Sequence, residues 1–207
     1  MSIHHLTTPI SSDDICNINA GDLVFLTGTL VTARDDVHLR VVKQHNPLPV
    51  DLYNGVIFHA GPIMAELPEQ PGRFEVISVG PTTSMRMEKY EHEFIEQVGI
   101  RLIVGKGGMG SRTEEACKKY GCLHTVFPGG CAVLAASKVR TVRNVYWLDL
   151  GMPEALWEME VKDFGPLLVS IDTKGNNLFE KQKVIYNNKK EQELQKLNRY
   201  IEEAFRI

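Results

Sequence analysis

The stretch from Ile103 to Ser111, IVGKGGMGS, decides the predicted fold because it carries an apolar run through a glycine turn into a helical pattern. Ser111 and Glu114 have the spacing of a capping box, which predicts that a helix begins there. The segments Leu26 to His38 and Phe74 to Val98 show the same order of strand, polar turn and helix. Repetition of this unit predicts an α/β protein.

Apolar and helical patterns continue this alternation along the chain. The predicted strands are Leu23 to Leu30, Gly55 to His59, Phe74 to Val79, Leu102 to Val104, His124 to Phe127, Val142 to Leu148 and Leu167 to Ile171. The predicted helices are Asp35 to Gln44, Ser84 to Val98, Thr113 to Tyr120, Gly130 to Val139 and a polar C-terminal helix from about Lys189, with an apolar stripe at Leu194, Leu197, Ile201 and Phe205. Strands are spaced more closely than helices in the early part, so we expect a mixed or barrel-like sheet with flanking helices. We find no repeat or linker, and residues 1–207 are predicted to form one domain.

The composition excludes several classes of protein. The chain has 207 residues, 43% of them hydrophobic, and 23 Lys and Arg against 26 Asp and Glu give a net charge of −3. We therefore expect no nucleic-acid or membrane partner. The start, MSIHHLTTPI, lacks the features of a signal peptide, and no apolar run approaches a membrane span, which favours the cytoplasm. The four cysteines form no Cys-x-x-Cys pair, so we expect buried thiols and no metal site in this chain.

The segment Gly80 to Arg86, GPTTSMR, predicts an anion site. A strand that ends at Gly-Pro and passes into a helix leaves backbone N–H groups free, and such groups suit a carboxylate. Arg86 follows Thr82 by four residues, so both side chains are expected to face one bound group. The alternative is a capped helix with an exposed arginine.

Arg34 lies in a similar strand-to-helix segment. We expect Asp35 to cap the following helix, and His38 to share a face with Arg34 in its first turn. The alternative is an ordinary arginine at a solvated helix start.

Lys106 lies within the glycine turn of the third segment. Gly105-x-Gly107-x-x-Gly110 matches the dinucleotide-binding fingerprint, which leaves a nicotinamide oxidoreductase as an alternative. The acid that this fingerprint requires about 20 residues on is missing, because the next acid after Glu115 is Asp149. We therefore favour a turn that lets Lys106 reach a carboxylate.

Three such cations at three strand-to-helix turns predict a pocket for a substrate with two carboxylates. They are Arg34, Arg86 and Lys106. Arginine offers paired hydrogen bonds to a carboxylate, and lysine offers a point charge.

Several motifs together resemble the β subunit of the two-subunit iron–sulfur hydro-lyases, a family that includes the class I fumarate hydratases and L(+)-tartrate dehydratases. The motifs, in chain order, are Gly-Thr-x-x-x-x-Arg-Asp-x-x-His (Gly28 to His38), His59-Ala60-Gly61-Pro62, Gly80-Pro81-Thr82-Thr83-x-x-Arg86-Met87, Gly105-Lys106-Gly107, Gly129-Gly130-Cys131-Ala132, Leu150 to Trp157 and Asp163-Phe164-Gly165-Pro166. The likeness extends from about Leu6 to Leu178 and also covers the C-terminal domain of single-chain class I fumarases. The predicted helix at 189–207 lies outside it.

This resemblance implies a swivelling β/β/α domain and an active site shared with an α subunit in αβ pairs. The α subunit is implied to carry a four-iron, four-sulfur cluster, and this chain none. By motif match, Thr82 corresponds to the family's catalytic base, and Arg34, Arg86 and Lys106 to its substrate-carboxylate ligands. We also place Thr83 among the residues that bind substrate.

The identity of the base has two candidates. A threonine hydroxyl is a weak base unless nearby cations favour its alkoxide, and Arg86 is expected one turn from Thr82. His38 matches a histidine with an active-site role in some members, and a histidine pKa of about 6.5 suits proton transfer. We place Thr82 first and His38 second.

The substrate also has two candidates within this family. Met85, His59 and Cys131 resemble the tartrate dehydratases more than the fumarases, so we expect His59 and Met85 to shape a pocket for L(+)-tartrate. Fumarate and malate are the alternative substrates. For the two residues themselves, the alternative is that Met85 serves in packing and that His59 is a satisfied loop histidine. A separate dicarboxylate-binding module without a partner is a third hypothesis.

Overall fold

A computed structural model describes residues 1–204 of the chain and the side chains of residues 1–201. The strands are β1 (Ile3–Thr7), β2 (Leu23–Thr32), β3 (Val56–Phe58), β4 (Ala60–Glu66), β5 (Phe74–Pro81), β6 (Leu102–Gly105), β7 (Leu123–Val126), β8 (Val139–Tyr146) and β9 (Leu156–Ile171). The helices are α1 (Ser12–Ile15), α2 (Asp35–Val42), α3 (Glu88–Val98), α4 (Ser111–Tyr120), α5 (Ala132–Ser137) and α6 (Leu178–Ala204), with 3-10 turns at Ser84–Arg86 and Leu148–Leu150.

Five strands close into a ring. Strands β2, β3, β6 and β7 are parallel neighbours in that order, and β9 runs antiparallel to both β7 and β2. Strand β1 extends the sheet beside β2, β8 extends it beside β9, and β4 and β5 form a separate antiparallel pair. The predicted α/β fold with a mixed, barrel-like sheet and flanking helices is confirmed.

The core has two parts because successive side chains of a strand point to opposite faces of the sheet. Val56 and Phe58 of β3 belong to a buried cluster that includes Phe164 of β9, and the Phe58 and Phe164 rings lie 5.4 Å apart at 73°. Ile57, between them in sequence, belongs to a second cluster that includes Phe94 of α3. The first cluster fills the ring of strands, and the second binds helices to its outer face.

Several elements differ from the sequence prediction. Strand β9 begins at Leu156 rather than Leu167, because its alternation of Glu and apolar residues continues across Gly165-Pro166. Helix α6 begins at Leu178 rather than Lys189, so the β-branched and aromatic residues 184–186 are helical despite their strand propensity. Strands β1 and β4 and helix α1 were not predicted. Leu194, Leu197 and Ile201 lie in α6 as predicted, whereas Phe205 lies outside the described residues.

None of the helices within residues 1–204 combines the length with the apolar character needed to cross a membrane.

Candidate functional site

Three predicted site residues lie at one edge of the ring. Arg34 comes just after β2, His59 directly follows β3, and Lys106 directly follows β6. These three strands are parallel and adjacent, so their carboxyl ends meet. Ligands of parallel α/β sheets characteristically bind at this edge. The order of strands therefore brings together residues that are far apart in sequence.

The Thr82 segment is fixed to this edge through its backbone. The Thr82 amide donates to the His59 carbonyl at 2.7 Å, and the Ser84 amide donates to the Lys106 carbonyl at 3.0 Å. The prediction that free N–H groups here would bind an anion is therefore wrong at Thr82 and Ser84. A ligand can use neither of these two amides, and the side chain of Thr82 is half-buried whereas that of Thr83 is exposed.

Arg86 is held in place by Asp35. Its Nε and Nη2 atoms lie 3.1 and 2.8 Å from the two carboxylate oxygens of Asp35, and its Nη1 lies 3.4 Å from Thr82 Oγ1. Asp35 is the first residue of α2, with Arg34 at the N-cap and no side-chain cap, so the expected capping role of Asp35 is wrong. The predicted proximity of Arg86 and Thr82 is confirmed.

Arg34 is also paired with an acid. Its Nη2 lies 3.0 Å from Glu154 Oε1, and its Nη1 donates to the Pro153 carbonyl at 3.3 Å. The guanidinium fits because residue 61 is glycine, since a Cβ there would lie 2.3 Å from Arg34 Nη1. Both arginines are thus oriented before any substrate arrives.

Lys106 differs from the two arginines. Among the described residues it forms no ion pair, and its Cδ lies 3.3 Å from where a Cβ on Gly129 would be. Its side chain therefore lies against a glycine and keeps its charge available.

His38 and His59 converge on Glu91, a residue of α3 that was not predicted as part of the site. The Nε2 atoms of His38 and His59 lie 3.2 and 3.1 Å from Glu91 Oε2, and all three side chains are fully buried. His38 Nδ1 contacts the Arg34 carbonyl at 2.7 Å, and His59 Nδ1 contacts Ser84 Oγ at 3.1 Å. Neither imidazole has a surface that a substrate could reach in this structure.

The charges of this cluster shift its pKa values. Burial disfavours the ionised form of Glu91, but His38 and His59 outweigh burial and lower the carboxyl pKa. Burial also opposes a charge on His38, but Glu91, with a contribution from Asp35, raises its pKa. For His59 burial prevails, and its pKa falls. The neighbouring His124 is neutral, because burial lowers its pKa to about 3.

Helix α4 begins differently from the prediction. Its N-cap is Gly110, and the Ser111–Glu114 capping box does not form. Glu88 of α3 caps the helix instead, accepting from the amides of Gly110 at 2.8 Å and Arg112 at 3.1 Å. A dinucleotide phosphate would need this helix start, which a carboxylate already occupies. The glycine turn therefore gives the oxidoreductase alternative no structural support.

The residues that sequence reasoning missed are acids. Glu91 lies among charged neighbours in sequence, yet it falls on the stripe of Met87, Phe94 and Ile95, at the helical spacings of four and three residues. That spacing could have identified it as buried. Glu154 lies in the matched segment Leu150 to Trp157, but nothing in the sequence links it to Arg34.

The site is open and has apolar side chains at its rim. Met85, next to Arg86, and Met152, next to Pro153, are both exposed. A cavity of about 560 Å³ lies elsewhere, beneath residues 45–53, and none of the predicted site residues line it. Part of the predicted site therefore faces solvent, since Arg86 is half-exposed, whereas Arg34 is largely buried.

Comparison with known proteins agrees with this geometry. A sequence model of the Fumarase C-terminus family matches residues 2–182, and the chain belongs to that family, whose named relatives are hydro-lyases. It is 55% identical to the L(+)-tartrate dehydratase subunit beta of Escherichia coli (strain K12) over 181 residues, which are 87% of this chain and 89% of that protein. The family resemblance predicted from the motifs is confirmed.

Two more distant relatives show the range of the family. A putative L(+)-tartrate dehydratase subunit beta of Methanocaldococcus jannaschii is 45% identical over 175 residues, covering 83% of this chain and 88% of that protein. A putative fumarate hydratase class I of Geobacillus stearothermophilus is 39% identical over 175 residues, covering 84% of this chain but only 33% of that longer protein.

Proposed function

We propose that this chain is the β subunit of an L(+)-tartrate dehydratase, which converts L(+)-tartrate into oxaloacetate and water. The observation that carries the proposal is the 55% identity, over nearly the full length of both chains, to a subunit of that name. The two oriented arginines support a substrate with two carboxylates, together with Lys106, which forms no ion pair among the described residues.

Thr82 is the proposed base. Dehydration removes a proton from the carbon beside one carboxylate while the hydroxyl leaves the next carbon, and the resulting enol rearranges to the keto acid. The Arg86 guanidinium, 3.4 Å from Thr82 Oγ1, favours the alkoxide that accepts this proton. His38 is buried against Glu91, so we now assign it a supporting role.

The cations hold the substrate and stabilise its transition state. Negative charge grows on the carboxylate beside the carbon that loses its proton, and each well-placed donor at such a charge contributes about 3 kcal/mol. Arg34, Arg86 and Lys106 are proposed to contact the two carboxylates, with Thr83 beside them. His59 is proposed to act indirectly, because its carbonyl accepts from the Thr82 amide and its Nδ1 contacts the Ser84 hydroxyl.

An iron–sulfur cluster on an α subunit is proposed to complete the site. Within residues 1–204, the one group of three potential ligands that come together is His38, His59 and Glu91, and it includes no cysteine. That no three cysteines come together among the described residues supports a cluster carried by the partner. When bound, the cluster supplies a Lewis acid for the departing hydroxyl.

The partner subunit is proposed to cover the open face beside Met85 and Met152. An obligate interface exposes apolar side chains when one subunit is viewed without its partner, and Met85 and Met152 are exposed in this way beside the fixed charges. We further propose a cytoplasmic αβ assembly in which residues 1–207 form one domain, with the C-terminal helix as an addition to the family domain.

Steady-state rates of the αβ complex on L(+)-tartrate, fumarate and malate test the proposal. We expect tartrate to have the highest kcat/KM, and faster turnover of fumarate would support the fumarate hydratase alternative. A native protein that never co-purifies with a cysteine-bearing partner would contradict the enzyme-subunit hypothesis and favour a separate binding module.

A further inference from the structure

A buried polar cluster lies directly behind the proposed substrate-binding face. It consists of His38, His59, Glu91 and Ser84, all without exposed surface. Burial of a carboxylate costs free energy unless opposite charge and hydrogen bonds compensate for it. The cluster therefore needs a defined arrangement of protons.

Hydrogen-bond partners assign the protons of His38. Its Nδ1 faces the Arg34 carbonyl, which can only accept, so Nδ1 carries a hydrogen. A bare lone pair on Nε2 would then face the Glu91 carboxylate at 3.2 Å, which is repulsive. A second proton on Nε2 removes this repulsion, so His38 is an imidazolium ion paired with Glu91.

His59 is assigned as neutral by the same reasoning. Ser84 Oγ accepts from the Lys106 amide at 3.0 Å, so its own hydrogen is available to His59 Nδ1. That leaves the His59 hydrogen on Nε2, facing Glu91. The cluster then holds one positive and one negative charge. Neither Nε2 contact has the angle of a good hydrogen bond, so the attraction to Glu91 is mainly electrostatic.

The cluster reaches the backbone of each proposed catalytic segment. Its His38 ring contacts the Arg34 carbonyl, and its His59 ring contacts Ser84 Oγ. The main-chain carbonyl of the same His59 accepts from the Thr82 amide. Ser84 in turn contacts both the amide and the carbonyl of Lys106. A single carboxylate on α3 thus links three separate strand ends.

We propose that Glu91 is a positioning residue, which by pairing with the His38 imidazolium and with His59 sets the relative positions of the backbones that carry Arg34, Thr82 and Lys106. The effect of Glu91 on the reaction rate rests on the proposed function, whereas its effect on the positions of these backbones does not. Proton transfer requires Thr82 and the carboxylate ligands in one geometry, and small displacements of such groups cause large losses of rate.

Hydrogen exchange of the αβ complex, followed by mass spectrometry on the peptide that spans residues 80–87, tests this proposal. Glu91→Leu removes the polar contacts at nearly constant volume, and we expect exchange at residues 82 and 84 to become at least about tenfold faster. We expect kcat to fall about 100-fold with a smaller change in KM. Glu91→Gln keeps a donor and an acceptor for two neutral histidines. Its exchange rate and its kcat should therefore lie closer to the wild-type values than those of Glu91→Leu.

Glu93→Gln is the matched control, because Glu93 lies on the same helix but pairs with Arg112. It should exchange and turn over like the wild type. Should Glu91→Leu fail to fold, Ser84→Ala removes one link of the cluster and should speed exchange in the same peptide.

Two results would overturn the proposal. Unchanged exchange at residues 80–87 in Glu91→Leu, or in Ser84→Ala if that variant is the one that folds, would show that the cluster does not position the segment. Metal analysis that finds one equivalent of zinc per chain in the wild type and none in Glu91→Gln would show that a metal ion, rather than the His38 imidazolium, occupies the cluster. A wild-type complex inactive on all three diacids would count against the proposed function only, since the exchange comparison does not depend on turnover.

Discussion

Arg86 and Asp35 form a two-point ion pair across two helix starts, with contacts of 3.1 and 2.8 Å. Asp35 begins α2, and Arg86 ends the 3-10 turn that precedes α3. The pair aims the remaining Nη1 of Arg86 at the Thr82 hydroxyl. An acid inside the proposed anion-binding site thus orients a cation and neutralises part of its charge.

Asp35→Asn should lower kcat/KM about tenfold, because an arginine with one weakened contact no longer holds a fixed position beside Thr82. The pair is partly exposed, so the free energy of unfolding should change by less than about 1 kcal/mol. Steady-state kinetics and urea denaturation measure the two effects. Glu160→Gln, which breaks the similarly exposed pair with Arg143, is the control and should leave kinetics unchanged.

Thr82→Ala should reduce turnover of the αβ complex by at least about 100-fold and leave assembly intact, since it removes the proposed base and little else. Thr82→Ser keeps the hydroxyl and should retain most activity. Rates and size-exclusion profiles of the two variants provide the measurement. Wild-type turnover in the alanine variant would exclude Thr82 as the base.

Gly61→Ala should raise the KM for the diacid about tenfold. It should also cost some stability, because the new Cβ would lie 3.0 Å from the Pro153 carbonyl oxygen. The new Cβ would lie 2.3 Å from Arg34 Nη1, the end of a flexible side chain that can move away. Gly129→Ala provides a graded comparison, because its Cβ would meet Lys106 Cδ at 3.3 Å, and its KM should rise less. Equal effects of both variants would argue against the close fit of Arg34.

The stability lost on Glu91→Gln should depend on pH. Glu91 raises the His38 pKa, so the pair contributes fully to the free energy of unfolding below about pH 6.5. This contribution disappears as the pH rises through the raised pKa of His38. The Glu91 pKa is lowered, so the carboxylate contributes above about pH 4.5 and loses this contribution as pH falls through the lowered value.

Urea denaturation of the wild type and Glu91→Gln at pH 6 and at pH 9 checks this expectation. The difference in the free energy of unfolding should be about 2 kcal/mol at pH 6 and smaller at pH 9. Glu93→Gln again provides the control. A difference that is larger at pH 9 than at pH 6 would contradict a charged His38 paired with Glu91.

Met152→Glu should weaken assembly with the α subunit, because it places a charge in the apolar rim of the site. Val184→Glu, an equally polar change at an exposed position of α6 beyond the family match, should assemble normally. Co-purification with a tagged α subunit compares them. Assembly that fails for Val184→Glu but not for Met152→Glu would place the interface on α6 instead.

Sequence alone predicted the parts of this protein that depend on local pattern. The strand-to-helix turns at Arg34, Thr82 and Lys106 follow from apolar periodicity and glycine placement, and the barrel-like sheet was predicted in general form. The ion-pair partners of the charged residues could not be predicted. Asp35 and Glu154 approach their arginines only through the folded arrangement, with Glu154 and Arg34 120 positions apart in the chain but 3.0 Å apart in space.

Burial of charge was the other feature that the sequence concealed. His38 has a suitable pKa for a base and a suitable position beside Arg34, yet the fold places it against Glu91 with no exposed surface. Local chemistry therefore favoured a direct role that the packing of α2 and α3 does not allow in this structure.

The pairing of β9 with β2 has a consequence for how such units are assembled into larger enzymes. Because the five central strands satisfy one another's backbone groups in a ring, the ring requires no strand from a neighbouring polypeptide. The unit matches 33% of a longer relative and 89% of a separate subunit. All hydrogen bonds between the strands of the ring lie within this one unit. The unit can therefore be joined to another chain or separated from it without a change in the pairing of these strands.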